Sequence, residues 1–191
     1  MNRKMTWLFL LASVMLLFSC VKDMTTPEQE PVSLGLLKIK FKLNPAEEIT
    51  PTFQTVIWLE DERSEFITSL LVSDWTAYGG YKFENVCPTW NEKAGWKDVS
   101  DEQFDAVTRA TPNPFLGADS LTIDCEELGL NPGVYKCRVE THIKKEYNIN
   151  YTAEIRLGAE PVTKRPEPTY IPEKHEAGDV LYDVVMTYYF E

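Results

Sequence analysis

The residue types that could carry chemistry in this chain are few and widely spaced. Its two histidines, His142 and His175, fall on an outward strand position and in a proline-rich loop, where a histidine is usually solvated. The run Glu60-Asp61-Glu62 lacks the spaced oxygen ligands of a dedicated calcium loop. No G-x-S-x-G or comparable nucleophile signature occurs. We therefore predict no catalytic residue, no metal site and no enzyme, with a hydrolase that uses paired carboxylates as the alternative.

The cysteine pattern limits the redox chemistry that this chain could carry out. No C-x-x-C pair occurs, which argues against a thioredoxin-like motif and a cysteine-type zinc site. Besides Cys20, the chain has Cys87, Cys125 and Cys137, an odd number that permits one bridge within a monomer. Cys125 and Cys137 flank a predicted hairpin, so they are the pair best placed for a disulfide. Two buried free thiols are the alternative.

The N-terminus carries an export signal. Arg3 and Lys4 precede an apolar run that is too short to span a membrane, which is typical of a secretory signal. The residues Leu17-Phe18-Ser19-Cys20 resemble the bacterial lipobox, which implies that Cys20 is lipidated and anchors the chain to a membrane. An ordinary signal peptide with an incidental cysteine is the alternative. We predict a signal peptide over residues 1–19, a lipidated flexible tether over 20–33 and one domain over 34–191.

Charge narrows the range of partners. The chain has a net charge of −11, and removal of residues 1–19 would make it −13, because Arg3 and Lys4 are lost and no acid is. Such a chain does not suit nucleic acid, since phosphate binding needs a basic face. It does not suit electrostatic docking on anionic lipid either. We expect an extracytoplasmic protein on the outer membrane, facing the periplasm or the cell surface, with an envelope protein or a ligand as its partner.

Period-two alternation dominates the region after the tether. Apolar residues alternate with Lys38, Lys40 and Lys42 in the first segment, which predicts a half-buried strand with a lysine outer face. Two predicted hairpins follow, the second of them joining residues 121–125 to 134–143. The predicted strands cover residues 37–43, 53–61, 65–73, 121–125, 134–143, 151–157 and 179–190. This pattern predicts a mainly β fold, an antiparallel immunoglobulin-like β-sandwich with one short helix.

Three other segments have distinct signals. Ser100 with Gln103 three residues later forms a capping box, and the helix it begins should end before Pro112. Residues 74–99 are rich in aromatic side chains and read as an irregular segment, which either packs over the sandwich or lines a ligand pocket. Residues 159–178 contain four prolines and are expected to form a long extended loop.

Several blocks in a fixed order resemble a known family. In chain order they are Val56-Ile-Trp-Leu-Glu-Asp61, Phe66-Ile-Thr-Ser-Leu-Leu-Val72, Pro88-Thr-Trp90, Asp105-Ala-Val-Thr-Arg-Ala-Thr111 and Pro132-Gly-Val-Tyr-Lys-Cys-Arg-Val-Glu140. Together they resemble DUF2271, a family of predicted periplasmic proteins, over about residues 53–157. The resemblance implies an exported β-sandwich of unknown biochemistry, similar to accessory proteins near membrane electron-transfer systems that use covalent flavin.

The block Asp105–Thr111 also resembles the acceptor motif of flavin transferases. That resemblance implies that FMN could be esterified to Thr111, with Asp105 and Thr108 as members of the motif. The sequence departs from the motif at Arg109, where glycine is expected. The alternative is that Asp105 and Thr108 hydrogen-bond the helix end and the following loop. We therefore expect no cofactor and a non-catalytic, lipid-anchored accessory or interaction protein, with an accessory of a flavin-based electron-transfer system as the alternative.

Overall fold

Alternating apolar residues form two β-sheets. The computed structural model describes residues 33–46, 48–176 and 178–191, so the predicted signal, Cys20 and the predicted tether up to residue 32 lie outside the described residues. The strands are β1 (Leu36–Leu43), β2 (Gln54–Asp61), β3 (Phe66–Ser73), β4 (Thr108–Arg109), β5 (Ala118–Asp124), β6 (Gly133–Lys144), β7 (Tyr147–Leu157), β8 (Val162–Lys164), β9 (Pro168–Ile171) and β10 (Leu181–Tyr189). The helices are α1 (Asp74–Tyr78), α2 (Pro88–Ala94) and α3 (Asp101–Val107).

The two sheets have the strand orders β5-β1-β10-β8 and β4-β3-β2-β6-β7-β9. We call them sheet A and sheet B. The pairing of β3 with β4 is parallel, whereas the long neighbours such as β1 and β10 or β6 and β7 are antiparallel. The prediction of a mainly β fold is confirmed. The immunoglobulin-like arrangement stays a prediction.

The main core lies between the sheets. Residues at alternate positions of β1 face inward, and the lysines between them face away, because successive side chains of a strand point to opposite faces. Sheet B contributes the inward residues of β2, β6 and β7 in the same way. Fully buried members of this core include Leu37, Ile39, Ile57, Leu59, Val139, Ile143, Ile149, Met186 and Tyr188.

The outer face of sheet A carries the predicted row of lysines, which we call the lysine face (Lys38, Lys40 and Lys42). Lys38 and Lys40 are exposed. Lys42 forms an ion pair of 2.8 Å with Asp183 on β10. The structure thus confirms the alternation predicted for this strand.

Sheet B is covered on its other face as well. Val56 and Trp58 point away from the main core into a second apolar cluster, which contains Trp90 and Trp96. The chain between β3 and β5 supplies the cover, which we call the helical layer (α1, α2 and α3). The prediction of one short helix is therefore wrong, because residues 74–99 contain two more. Their helices are too short, at five and seven residues, to show a helical period in the sequence.

The capped helix is confirmed. Ser100 precedes α3, and its hydroxyl accepts a hydrogen bond of 3.2 Å from the backbone N–H of Gln103. Asp101 and Glu102 lie in the first turn, at the positive end of the helix.

Two predictions about connections are wrong. Residues 121–125 and 134–143 do not form a hairpin, because β5 pairs with β1 in sheet A while β6 pairs with β2 and β7 in sheet B. The turn between them crosses from one sheet to the other, and alternation alone does not specify which strands pair. The predicted loop of residues 159–178 contains β8 and β9, which pair with β10 and β7.

Candidate functional site

The residues of the Asp105–Thr111 run lie in α3, in β4 and in the loop after β4, and their side chains do not form a single site. Asp105 is exposed on α3. Thr108 donates a hydrogen bond of 2.6 Å to the carbonyl of Phe104, which closes the end of α3, as the structural alternative for Thr108 predicts. Thr111 lies beyond β4 in the loop that precedes β5. Within the described residues, no hydrogen bond joins Asp105 to Thr111.

Thr111 has other partners, which the sequence did not indicate. Its hydroxyl donates to Oδ1 of Asp74 over 2.8 Å and accepts from Nε2 of Gln54 over 3.0 Å. The Oε1 atom of Gln54 accepts from the hydroxyl of Thr76 over 3.1 Å. This network ties the loop before β5 to β2 and to the start of α1. The half-buried Thr111 hydroxyl therefore has a carboxylate within hydrogen-bonding distance.

The helical layer presents an exposed group of rings, which we call the aromatic surface (Trp75, Tyr78 and Phe83). The side chains are 48%, 74% and 55% exposed. Trp75 and Phe83 are stacked, with centroids 5.8 Å apart and planes 10° from parallel. Tyr78 lies one helical turn from Trp75 and contacts the ring of Phe104 edge-on at 5.1 Å. The three exposed rings thus lie on α1 and in the turn that follows it, and Tyr78 adjoins Phe104 of α3.

Buried tryptophans support this patch from below. Trp96 contacts Phe104 at 5.7 Å and Trp90 at 5.3 Å between centroids. The indole N–H of Trp90 donates to the hydroxyl of Ser69 over 2.9 Å, and that of Trp96 donates to the carbonyl of Ala77 over 3.1 Å. Each polar atom is satisfied, so the rings are fixed in place. The aromatic segment therefore divides into buried anchors and exposed contact rings.

A buried ion cluster lies at one end of the interface between sheet B and the helical layer. Glu60 is fully buried, and its Oε1 accepts hydrogen bonds from Nζ of Lys93 over 2.9 Å and from the indole of Trp58 over 3.0 Å. Its Oε2 lies 3.0 Å from Nε of Arg138, in an ion pair without the alignment of a hydrogen bond. Arg138 also lies over the ring of Trp58. Glu60 therefore joins α2 to the sheet through Oε1 and links β2 to β6 through Oε2.

A second buried carboxylate, Glu140, holds the start of α2. Its Oε1 accepts from the N–H and the hydroxyl of Thr89 and from the amide of Asn150, at 3.1–3.3 Å. Its Oε2 accepts from the N–H of Trp90 over 3.0 Å. Burial raises the pKa of Glu140 to about 7, although these hydrogen bonds lower it. We therefore assign Glu140 to the capping of α2.

The three described cysteines and His142 are also buried. Burial raises the pKa of Cys125 to about 11 and of Cys137 to about 12, and it raises that of Cys87. All three are free thiols in this structure, and the Cys125–Cys137 disulfide stays a prediction. His142 was expected to be solvated, but the helical layer covers it, and burial lowers its pKa.

No group of three or more acidic, histidine or cysteine side chains in the described ranges could hold a metal ion. His175 packs edge-on against Tyr147, with centroids 4.7 Å apart, in an open cleft of about 460 Å³. Lysines and glutamates of both signs line this cleft, among them Lys144, Lys145 and Glu173. The cleft therefore has no single charge character that would select a ligand.

Sequence reasoning missed Glu60 and Glu140 as buried groups. The alternation of apolar and polar residues predicts that Glu140 faces away from the main core, which is correct. Alternation does not show that the helical layer covers that face of sheet B. Asn148 and Asn150, two positions apart on β7, were the available signal, since they lie beside His142 and Glu140 in the sheet register.

A family model described as "Predicted periplasmic protein (DUF2271)" matches residues 37–170. The chain belongs to the DUF2271 family. The match covers most of β1 to β9 and with them the whole helical layer, and it ends before β10 of sheet A. No curated protein and no solved structure matches the chain. In the part that the structure describes, no helix of this DUF2271 chain is long and apolar enough to cross a membrane.

Proposed function

We propose that this chain is a non-catalytic, lipid-anchored accessory protein of the bacterial cell envelope that binds a partner protein through the aromatic surface. The exposure of Trp75, Tyr78 and Phe83 on a rigid support carries this proposal. Exposed groups of large apolar side chains mark interaction sites, and aromatic residues dominate the energy of protein interfaces.

The buried acids support a non-catalytic role. Glu60 joins sheet B to α2 through its Oε1, while its Oε2 pairs with Arg138 within sheet B. Glu140 holds the start of α2 through both of its carboxylate oxygens. The three described thiols are buried with raised pKa values, which keeps them protonated and unreactive at neutral pH. The two carboxylates therefore stabilise the support of the aromatic surface.

Co-purification from detergent-solubilised membranes tests the binding role. Wild type is compared with Trp75→Ala and with Phe115→Ala, a control that removes a more exposed ring, 75% exposed against 48% for Trp75, from the loop before β5. We expect one stoichiometric partner with wild type and with Phe115→Ala, and its loss with Trp75→Ala. Equal recovery from wild type and Trp75→Ala would contradict the proposal, and so would recovery of no partner from wild type.

The lipid anchor has its own test. The pattern Leu17-Phe18-Ser19-Cys20 supports an anchor on Cys20. We expect metabolic labelling with a fatty acid to mark wild type and not Cys20→Ala, and we expect the variant to leave the membrane fraction. A labelled Cys20→Ala protein would show that the anchor lies elsewhere.

One observation favours a second candidate function, an accessory of a flavin-based electron-transfer system. A threonine hydroxyl becomes a nucleophile when a base within hydrogen-bonding distance accepts its proton. Asp74 lies in that position, with Oδ1 2.8 Å from Oγ of Thr111. Arg109, which stands where the motif has glycine, has no positive φ, so its backbone does not require glycine. A flavin attached here would supply redox chemistry.

Intact mass decides this second candidate. The chain is expressed and exported together with a flavin transferase, and its mass is compared with that of Thr111→Val and of Thr152→Val, a control at an exposed position of β7. The flavin hypothesis expects an increment of one FMN on wild type and on Thr152→Val and none on Thr111→Val. An unmodified wild-type chain would exclude it.

A further inference from the structure

The segment that carries the aromatic surface is acidic. Residues 74–105 contain seven acidic side chains, all of them exposed, and three lysines. One of those lysines, Lys93, is committed to the buried Glu60. The helical layer therefore presents exposed apolar rings together with an excess of exposed carboxylates.

The acids lie on the same elements as the rings. Asp74 precedes Trp75 at the start of α1, and Glu84 follows Phe83. Asp101 and Asp105 lie on α3, whose Phe104 contacts Tyr78. Within the described residues, none of Glu84, Asp101 and Asp105 forms a salt bridge, so their charge faces solvent.

Rings and carboxylates together select a cation that also has a flat or apolar body. A guanidinium group stacks on aromatic faces, pairs with carboxylates through several N–H groups and is weakly hydrated. A lysine side chain offers an ammonium group and an apolar stem. Neither an anionic lipid surface nor a nucleic acid shares this complementarity, since both would be repelled.

We propose that the aromatic surface docks an arginine-bearing segment of a partner protein. Guanidinium groups stack on Trp75 and Phe83 and pair with the carboxylates of α1 and α3. This inference rests on the proposed binding role and adds the chemistry of the partner. A second copy of this chain is a poor occupant, because two copies with a net charge of −11 each repel one another.

Binding of defined peptides to the full folded chain tests the chemistry. One peptide carries several arginines separated by neutral residues, and its matched counterpart carries citrulline, which keeps the shape and removes the charge. We expect the arginine peptide to bind about tenfold or more tightly than the citrulline peptide, with an affinity that falls as NaCl rises from about 0.05 M to about 0.3 M.

Variants distinguish docking at this surface from general attraction to an acidic protein. Trp75→Ala and the charge-neutralising double variant Asp101→Asn/Asp105→Asn should each weaken arginine-peptide binding about tenfold. Phe115→Ala and Glu154→Gln, which remove an exposed ring and an exposed charge elsewhere, should leave it unchanged. Circular dichroism of each variant confirms that it is folded.

Equal binding of the two peptides would overturn the inference, as would an arginine-peptide affinity that Trp75→Ala does not change. Failure of the arginine peptide to bind at all would overturn it too. The peptide experiments test only the chemistry of the partner. The proposed binding role is tested separately, by the co-purification experiment. Sedimentation of the chain alone shows whether a second copy occupies the aromatic surface. If wild type self-associates and Trp75→Ala is monomeric, the inference is also overturned.

Discussion

At the scale of single residues, Glu140 combines full burial with a role in shaping the helical layer. Its four hydrogen-bond donors come from α2 and β7. No salt bridge joins it to a cation in the described part of the chain. A buried carboxylate without a cation favours its protonated form, because burial penalises the charge. The stability of the fold should therefore depend on pH through this residue.

Glu140→Gln should flatten that dependence. Because the pKa rises from 4.5 to about 7 on folding, the stabilising contribution of the neutral form is complete below about pH 4.5 and is lost as pH rises through 7. The wild type should lose on the order of 3 kcal/mol from this group across that window. Urea unfolding at several pH values measures the slope. Glu154→Gln, at an exposed position of β7, should keep the wild-type slope, whereas an unchanged slope in Glu140→Gln would assign the effect to another group.

Glu60→Gln should destabilise the fold because it leaves two cations facing each other without their shared counter-charge. Lys93 and Arg138 are 27% and 20% exposed in their side chains, so solvent screens part of the repulsion. We expect a loss of about 3 kcal/mol in the free energy of unfolding, the cost typical of a broken buried ion pair. Glu62→Gln, on the exposed hairpin turn nearby, should cost less than about 0.5 kcal/mol. Similar losses in both variants would show that the cluster contributes no specific stability.

At the scale of elements, the backbone of Gly35 just before β1 lies very close to the backbone of Tyr189 on β10. The sequence alone does not predict this close approach. A Cβ atom at Gly35 would collide with the backbone carbonyl of Tyr189 on β10. The N–H of Gly35 also donates to the hydroxyl of Tyr188 over 3.0 Å. The absence of a side chain here sets the distance between β1 and the end of β10.

Gly35→Ala should therefore cost about 1–3 kcal/mol, since a backbone oxygen cannot move aside as a flexible side chain can. Gly79→Ala is the matched control, because nothing lies within 4 Å of its added Cβ. Thermal unfolding of the two variants measures the difference. A Gly35→Ala protein as stable as Gly79→Ala would mean that the strands separate without cost.

Elements whose side chains alternate were predictable from the sequence, and their partners were not. The lysine row of β1 and the cap at Ser100 depend on local patterns, and both are confirmed. The pairing of β5 with β1 depends on residues more than seventy positions apart in the chain, which no local pattern encodes. The short helices α1 and α2 are held by Trp90 and Trp96 against the sheet, so their packing and not their propensity determines them.

The candidate site shows the same division. Thr111 was singled out by its motif, but its contacts with Asp74 and Gln54 depend on where β2 and α1 meet. The aromatic segment over residues 74–99 was predicted to pack over the sandwich or to line a ligand pocket. Which of its rings are exposed follows from the helical layer and could not be read from composition.

At the scale of the whole molecule, sheet B joins two apolar cores. Ile57 and Leu59 belong to the main core, while Val56 and Trp58 on the same strand belong to the cluster under the helical layer. Because β2 supplies residues to both cores, unfolding of either core would expose one apolar face of this strand to water. The two cores are therefore expected to unfold together.

Trp90→Ala should lower the stability of the entire fold. Trp90 is fully buried, so its truncation should cost about 3–5 kcal/mol. Far-UV circular dichroism, which follows the strands, and tryptophan fluorescence, which follows the second core, should give one coincident transition in wild type and in the variant. Transitions that separate would show that the helical layer melts from an intact pair of sheets.

The lysine face has a consequence for orientation at a membrane. It lies on the outer side of sheet A, whereas the acidic helical layer covers the far side of sheet B, so Lys38 and Lys40 and the exposed carboxylates of the helical layer lie on opposite sides of the two sheets. The field of an anionic surface extends about 10 Å, attracts the basic side of such a molecule and repels the acidic side. With the proposed anchor on Cys20, we expect Lys38 and Lys40 to face the bilayer. We expect the aromatic rings to point outward, where other proteins of the envelope can reach them.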